Sequence, residues 1–281
     1  MSNTSIELSN QSCFDFLKNL PNNSVDLFLI DPPYEVSRDT NFQSGELKGD
    51  NTDRFRVSMD FGDWDNGFTG LDKVIAEAYR VLRKGGTLIC FYDLWKLTTL
   101  KEYFENAKFK QLRLIEWLKT NPVPLNSKTN YLTNAREIAV LGVKGGCPTF
   151  HSEYDNGIYK YPICHDKGRF HPTQKPLALI EDLIKKHSEE GDVVVDCFSG
   201  SGTTAAAANN TGRNFIGCEL SKEYYDKSIK RLEKMDIDVN PPRLIRFREY
   251  RRGFQTPHGL SPMPATLDRN GYLTTDTAQT Q

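Results

Sequence analysis

The sequence predicts an α/β protein built on one doubly wound, mostly parallel sheet. Three observations carry that expectation. Strand-like and helix-like segments alternate along most of the chain, an apolar run stops abruptly on Asp-Pro-Pro, and a glycine-rich turn joins another apolar run to an alanine-rich helix. The chain opens with a β-like run at residues 6–8 and an amphipathic stretch at 14–20. The apolar run in SVDLFLIDPPY must stop at Asp31, because two prolines cannot continue a hydrogen-bonded ladder. Residues 35–65 are polar, lack a sustained period and exceed an ordinary connection, which suits a lid or a reader of a ligand. Leu71, Val74, Ile75, Ala78 and Leu82 recur at helical spacing. Gly85-Gly86 is expected to close that helix, with TLICFY following as a buried strand. A helix-like segment from Leu100 precedes a strand in LRLIEWLK, a loop rich in Pro and Asn, and a strand in REIAVLGVK; residues 145–172 then lose periodicity. Pro176 opens a helix with Leu177, Ile180, Leu183 and Ile184 on one face. DVVVD, CFSGSG, TTAAAANN and NFIGCEL complete a β-α-β unit, and Ser221 begins a last helix with Tyr225, Ile229 and Leu232 on one face.

At 281 residues the chain suits one large domain, expected over residues 1–242, with a basic segment at 243–254 and a Thr-, Pro-, Gly- and Gln-rich tail at 255–281 expected to lack a fixed structure. A net charge of −1 gives no global attraction to a polyanion, so any nucleic-acid site must be a local patch. No apolar run is long enough to span a bilayer and the N-terminus lacks a secretory signal, so a cytoplasmic protein with no membrane partner is expected. Six cysteines without CxxC spacing read as reduced core thiols. Cys147, His151, Cys164, His165 and His171 crowd into one stretch, but their spacing matches no standard zinc pattern and no metal is expected.

Two motifs carry chemistry. The turn from Asp196 to Thr204 follows a strand and opens a helix, where small residues let a ligand approach the backbone. It lacks the Lys-Ser/Thr pair of a phosphate-binding loop, and Glu219 closes the next strand where a carboxylate can accept ribose hydroxyls, so an adenosine-type cofactor suits it. A glycine turn and a strand-end acid also arise for structural reasons alone. The second motif, Asp31-Pro32-Pro33-Tyr34, combines an acid, unpaired carbonyls and an aromatic face, which suit a flat ring bearing an amino group; the alternative is a plain turn with Tyr34 packed on the core.

DPPY, then HPTQKP at 171–176, then FSGSGTT resemble the β class of S-adenosylmethionine-dependent DNA amino-methyltransferases, over roughly residues 6–235. In that class the catalytic half precedes the cofactor half, a permutation of the usual class I methyltransferase order. The resemblance implies a Rossmann-like fold with a catalytic half at 1–118, a target-recognition and base-pocket region at about 119–170 and a cofactor half at 171–242. It implies that Asp31, Pro32, Pro33 and Tyr34 are catalytic, and that Asp196, Cys197, Phe198, Gly200, Ser201, Gly202 and Thr203 hold S-adenosylmethionine. Glu219 would take the ribose, Thr173, Gln174 and Lys175 would close over the cofactor carboxylate, and Ser12 and Cys13 would border its adenine.

The implied reaction is methylation of the N6 amine of a flipped-out adenine in double-stranded DNA. DPPY in the class usually accompanies adenine and SPPY cytosine N4, so cytosine-N4 methylation is the alternative, followed by a catalytically silent DNA-binding subunit. Candidate DNA contacts are Arg38, Lys48, Arg54 and Arg56 in the polar loop, Lys119 and Asn121, and the cluster Arg243, Arg246, Arg248, Arg251 and Arg252. That cluster reads equally as solvated surface or as a subunit contact. Partners implied are a cognate restriction endonuclease and a second copy of the chain, in a prokaryotic or phage setting.

Overall fold

The structure, a computed structural model, describes residues 4–33, 68–122, 133–164, 170–171 and 173–240. All belong to one unit spanning Met1–Ile245. In chain order the elements are β1 (Ile6–Asn10), α1 (Cys13–Lys18), β2 (Val25–Ile30), α2 (Leu71–Val81), β3 (Leu82–Tyr92), α3 (Leu97–Asn106), β4 (Lys110–Lys119) and β5 (Arg136–Val143). There follow β6 (Ile158–Tyr161), α4 (Leu177–His187), β7 (Val193–Asp196), α5 (Thr203–Asn210), β8 (Asn214–Glu219), α6 (Lys222–Glu233) and β9 (Val239–Asn240).

The strands form one sheet in the order β6-β4-β5-β3-β2-β7-β8-β1-β9. β5 runs antiparallel to β3 and β4, and every other neighbouring pair is parallel. This is the mostly parallel α/β sheet that the alternating pattern predicts. β2 lies beside β7, with Leu27 opposite Val194 and Phe28 opposite Val195, so two motifs far apart in sequence emerge at one edge of the sheet.

The central strands are buried on both faces, and Leu27, Phe28, Val194 and Phe215 are fully enclosed. Burying each such side chain contributes about 1.5–3 kcal/mol. Ala205, Ala206, Ala207 and Ala208 are all buried, because α5 packs with core on several sides and only small side chains leave it room. Ser12 and Ser221 cap α1 and α6 by accepting backbone N–H groups from Asp15 and Tyr224. Among the described residues no helix is long and apolar enough to cross a membrane.

Two local expectations change. Gly85-Gly86 does not end α2, which stops at Val81 when the chain turns extended at Leu82 and enters β3 at once. The glycines instead form a bulge inside β3, where Val25 pairs with Leu82 but Leu27 pairs with Thr87. Gly85 has φ +82°, and a Cβ there would lie 2.4 Å from the Cys147 carbonyl oxygen, so the bulge requires glycine. The stretch without periodicity also contains a strand. β6 is too short to show a repeat and is held on the edge of β4 by ladder pairing and by the Trp117 indole N–H donating to the Tyr161 carbonyl at 2.9 Å.

Candidate active site

A cleft of about 760 Å3 opens at the carboxyl ends of β2, β7 and β8, within the size range of small-molecule sites. On one side the glycine turn is tied by two carboxylates. Asp196 accepts the Phe198 backbone N–H at 2.9 Å and the Thr204 hydroxyl at 2.7 Å, joining the start of the turn to the first turn of α5. Burial pushes its carboxyl up to about 7, against the pull of those two donors. Glu219, at the end of β8, accepts the Gly200 N–H and the Ser221 N–H, each at 2.8 Å. Burial raises its pKa and the backbone donors oppose the rise.

Gly200 has φ +49° and lies under the His171 ring, where a Cβ would come within 3.3 Å of Nε2. His171 in turn meets Tyr224 edge-on at 4.5 Å and shares a hydrogen bond with Thr173 at 3.1 Å. Phe198 packs edge-on against Phe68 at 5.2 Å, and Phe68 stacks on Phe14 at 6.1 Å, forming an apolar wall beside Ser12 and Cys13.

On the other side Asp31 follows β2 directly and forms an ion pair through Oδ2 with the Lys175 ammonium. Lys175 also lies 2.9 Å from Glu137 of β5, and Glu137 lies 2.8 Å from Lys119 of β4. Two acids and two lysines thus alternate in one chain of charges. The Lys175 ammonium sits 4.9 Å from the centre of the Phe91 ring, and its side chain is only 7% exposed, against 20% for Asp31. Burial pushes Asp31 above the ordinary carboxylate range; Lys175 pulls it down and Glu137 pushes it up. Burial also pushes Glu137 up, but Lys175 and Lys119 outweigh it and hold that carboxyl below the ordinary range.

Three buried polar atoms of cleft-lining residues, Asp31 Oδ1, Gln174 Oε1 and Ser199 Oγ, have no hydrogen-bond partner among the described residues. Such atoms are normally paired, so their grouping fits a cleft built for a polar ligand. Gln174 Oε1 and Ser199 Oγ suit an ammonium group, the Glu219 carboxylate a diol, and the wall of Phe14, Phe68 and Phe198 an aromatic ring, which together match the parts of S-adenosylmethionine.

Most residues expected at the site converge here. Ser12, Cys13, Asp31, Pro32, Pro33, Thr173, Gln174, Lys175, Asp196, Cys197, Phe198, Gly200, Ser201, Thr203 and Glu219 all line the cleft. Gly202 does not: it is the left-handed N-cap of α5, φ +74°, and faces Ser228 and Leu232 of α6, so its small size serves helix packing. Lys175 lines the cleft and turns its ammonium to Asp31 and Glu137. Lys119 is largely buried against Glu137, and the Asn121 side chain accepts the Ile163 N–H at 2.6 Å. Tyr34, Arg38, Lys48, Arg54, Arg56, Arg243, Arg246, Arg248, Arg251 and Arg252 lie outside the described residues, as do His165 and the tail at 255–281.

His171, Phe68 and Tyr224 line the cleft and Glu137 meets it through Lys175, and none of the four was among the expected site residues. His171 could have been found from its place in HPTQKP, whereas Glu137 is a lone acid in an apolar strand and carries no local signal. Burial pushes the Cys13 thiol up to about 11 and raises those of Cys90, Cys197 and Cys218 well above the ordinary thiol range, which disfavours the nucleophilic thiolate.

Residues 25–230 match the family described as DNA methylase, of the N6/N4 type. The chain is 30% identical over 265 residues to the Type II methyltransferase M.HinfI of Haemophilus influenzae, covering 83% of this chain and 72% of that protein. It is 32% identical over 247 residues to the Type II methyltransferase M2.DpnII of Streptococcus pneumoniae, covering 80% and 89%. Among solved structures, an M1.HpyAVI–SAM complex superposes with a TM-score of 0.60 at 28% identity, covering 81% of this chain and all of that one. The cytosine-N4-specific PvuII DNA methyltransferase gives 0.63 at 17% identity, covering 88% and 91%, a likeness of fold.

Proposed function

From its place in the DNA methylase family of S-adenosylmethionine-dependent amino-methyltransferases, to which this chain belongs, we propose that it methylates the N6 amine of adenine in double-stranded DNA. Amino-methylation of DNA follows from the family, and adenine is the finer reading. The observation that carries it is Asp31, an acid of the DPPY motif held at the rim shared with the glycine turn, with one carboxylate oxygen that has no partner among the described residues.

S-adenosylmethionine, when bound, supplies a methyl group activated by its sulfonium. The residues suited to hold it are Glu219 for the ribose hydroxyls, Gln174 and Ser199 for the amino-acid end, and the Phe198 wall for the ring. An exocyclic amine conjugated to its ring is a poor nucleophile. Asp31 Oδ1 and the Pro32 carbonyl would accept its two hydrogens, fixing the nitrogen as it rehybridises and forms the new N–C bond to the methyl carbon; the C–S bond would break with its electron pair passing to sulfur, so that a neutral thioether leaves. As positive charge develops on that nitrogen the Asp31 carboxylate would stabilise it, and one N–H proton then passes to solvent to leave the neutral methylated amine. Such a pocket reaches only a base swung out of the duplex, which Tyr34 would stack against.

The decisive experiment is single-molecule sequencing of DNA from cells expressing the protein or its Asp31→Ala form. Methyl-adenine at one short motif, absent with Asp31→Ala, is expected. Methyl-cytosine at N4 would replace adenine by cytosine in this reading, and an unmarked genome would overturn it. The reading extends to a cytoplasmic enzyme in a single domain over residues 1–242, to a cognate endonuclease, and to a dimer. It also has the arginine cluster between 243 and 252 gripping phosphates, so neutralising it should weaken binding to all sequences and flatten the salt dependence.

A further inference from the structure

We infer that Lys175 and Glu137 form a positioning pair for Asp31: Glu137, anchored by Lys119, fixes the Lys175 ammonium, which holds one oxygen of Asp31 and leaves the other for the substrate amine. This rests on the reading of Asp31 given above and adds residues that the motif itself does not contain.

The geometry has three parts. Lys175 lies between Asp31, to which it donates a hydrogen bond, and Glu137, whose Oε2 is at ion-pair distance, so two negative charges hold its ammonium, and the Phe91 ring faces it as a third contact. Glu137 is itself held on its far side by Lys119 at 2.8 Å, so it cannot swing away without breaking a second pair. Asp31 uses only Oδ2 in this chain, and Oδ1 has no partner among the described residues. A carboxylate gripped by one oxygen has a fixed plane and a free acceptor, which is what presenting an acceptor to an amine hydrogen needs. A single buried Lys175–Asp31 pair would do less, because an ammonium held on one side alone keeps rotamers that re-aim the acid.

The same chain of charges sets when Asp31 is ionised. The charged and titratable groups that bear on it among the described residues are Lys175, Glu137, Lys119, Asp196 and Cys90. The positive charge on Lys175 favours the carboxylate and the negative charge on Glu137 opposes it. Removing either neighbour should therefore move the acid limb of activity in opposite directions. A residue that merely supports the fold would not produce that pattern.

The test uses the full-length protein with Lys175→Met, Glu137→Gln and the conservative Glu137→Asp. Three readouts are taken: kcat and KM against pH, the affinity for S-adenosylmethionine by calorimetry, and the titration of Asp31 followed by carboxyl carbon NMR, assigned with Asp31→Asn. Lys175→Met should move the Asp31 titration and the acid limb upward, and Glu137→Gln should move both downward, each by about one pH unit or more. For Glu137→Gln, kcat should fall about 10- to 100-fold with the KM values for DNA and cofactor nearly constant, and Glu137→Asp should recover part of the loss. Shifts in one direction for both variants, no shift in either, or a Lys175→Met protein that loses cofactor affinity without moving Asp31 would overturn the assignment. If Lys175→Met fails to fold, the Glu137 pair decides the matter by the same criteria. The NMR titration needs no turnover, so a protein that methylates no DNA, which would sink the reading of Asp31, remains distinct from one whose Asp31 ignores its neighbours.

Discussion

The two sides of the cleft are built differently. On the glycine-turn side the bonds are mostly local: Asp196 reaches residues two and eight positions on, and Glu219 reaches Ser221 two positions on and Gly200 nineteen back. On the Asp31 side the decisive contact joins residues 144 apart, and the next links come from β5 and β4. The local side is shaped by backbone donors that any chain with this turn provides. The distant side is an assembly of charges that exists only when four separate segments meet. Cofactor geometry should therefore tolerate side-chain change better than the reacting-group geometry does.

The contrast is sharpest at Asp31. Asp31→Ala should lower kcat by at least about 100-fold while the affinity for S-adenosylmethionine stays within a few fold, measured by methyl transfer and by calorimetry. Loss of both together would mean the two sides are not separable. Next in size, Gly200→Val puts a branched side chain at φ +49° and against the His171 ring. Cofactor dissociation constants should rise about 10- to 100-fold, and an unchanged affinity would remove the turn from the binding site.

Away from both sides, Gly85→Ala meets the Cys147 carbonyl and a left-handed backbone, so the protein should lose about 1–3 kcal/mol in denaturant melts with the site intact. The smallest effect concerns Asp196. Its folded carboxyl, raised by burial to about 7, lies above the unfolded value near 3.9, so its contribution to stability is present at low pH and is lost as pH rises through about 7. Asp196→Asn should melt close to the wild type near pH 5 and gain on it toward pH 8, by about 1 kcal/mol. A gap that closes with rising pH would mean that the Phe198 and Thr204 donors dominate over burial.

Length and pattern made much of the fold legible. The alternation of apolar runs with helical spacing predicts the parallel sheet, and the β7-α5-β8 unit lies where DVVVD, TTAAAANN and NFIGCEL predict it, because these segments combine strong local propensity with a turn that only glycine fits. The two-glycine bulge and β6 were not legible, since each depends on its partner: Gly85 on the Cys147 carbonyl and β6 on the edge of β4.

The site divides in the same way. Asp31, Glu219 and the glycine turn announce themselves through short motifs whose chemistry is carried by neighbours in sequence. Glu137, and the direction in which the Lys175 ammonium points, had no such signature. The sequence by itself determined the strand ends, the small residues of the turn and the acid of the DPPY motif. Tertiary structure alone decided which charges face one another, because setting β2 beside β7, and β5 between β3 and β4, brings Asp31, Lys175, Glu137 and Lys119 within ion-pair distance across a buried space where unpaired charge would not persist.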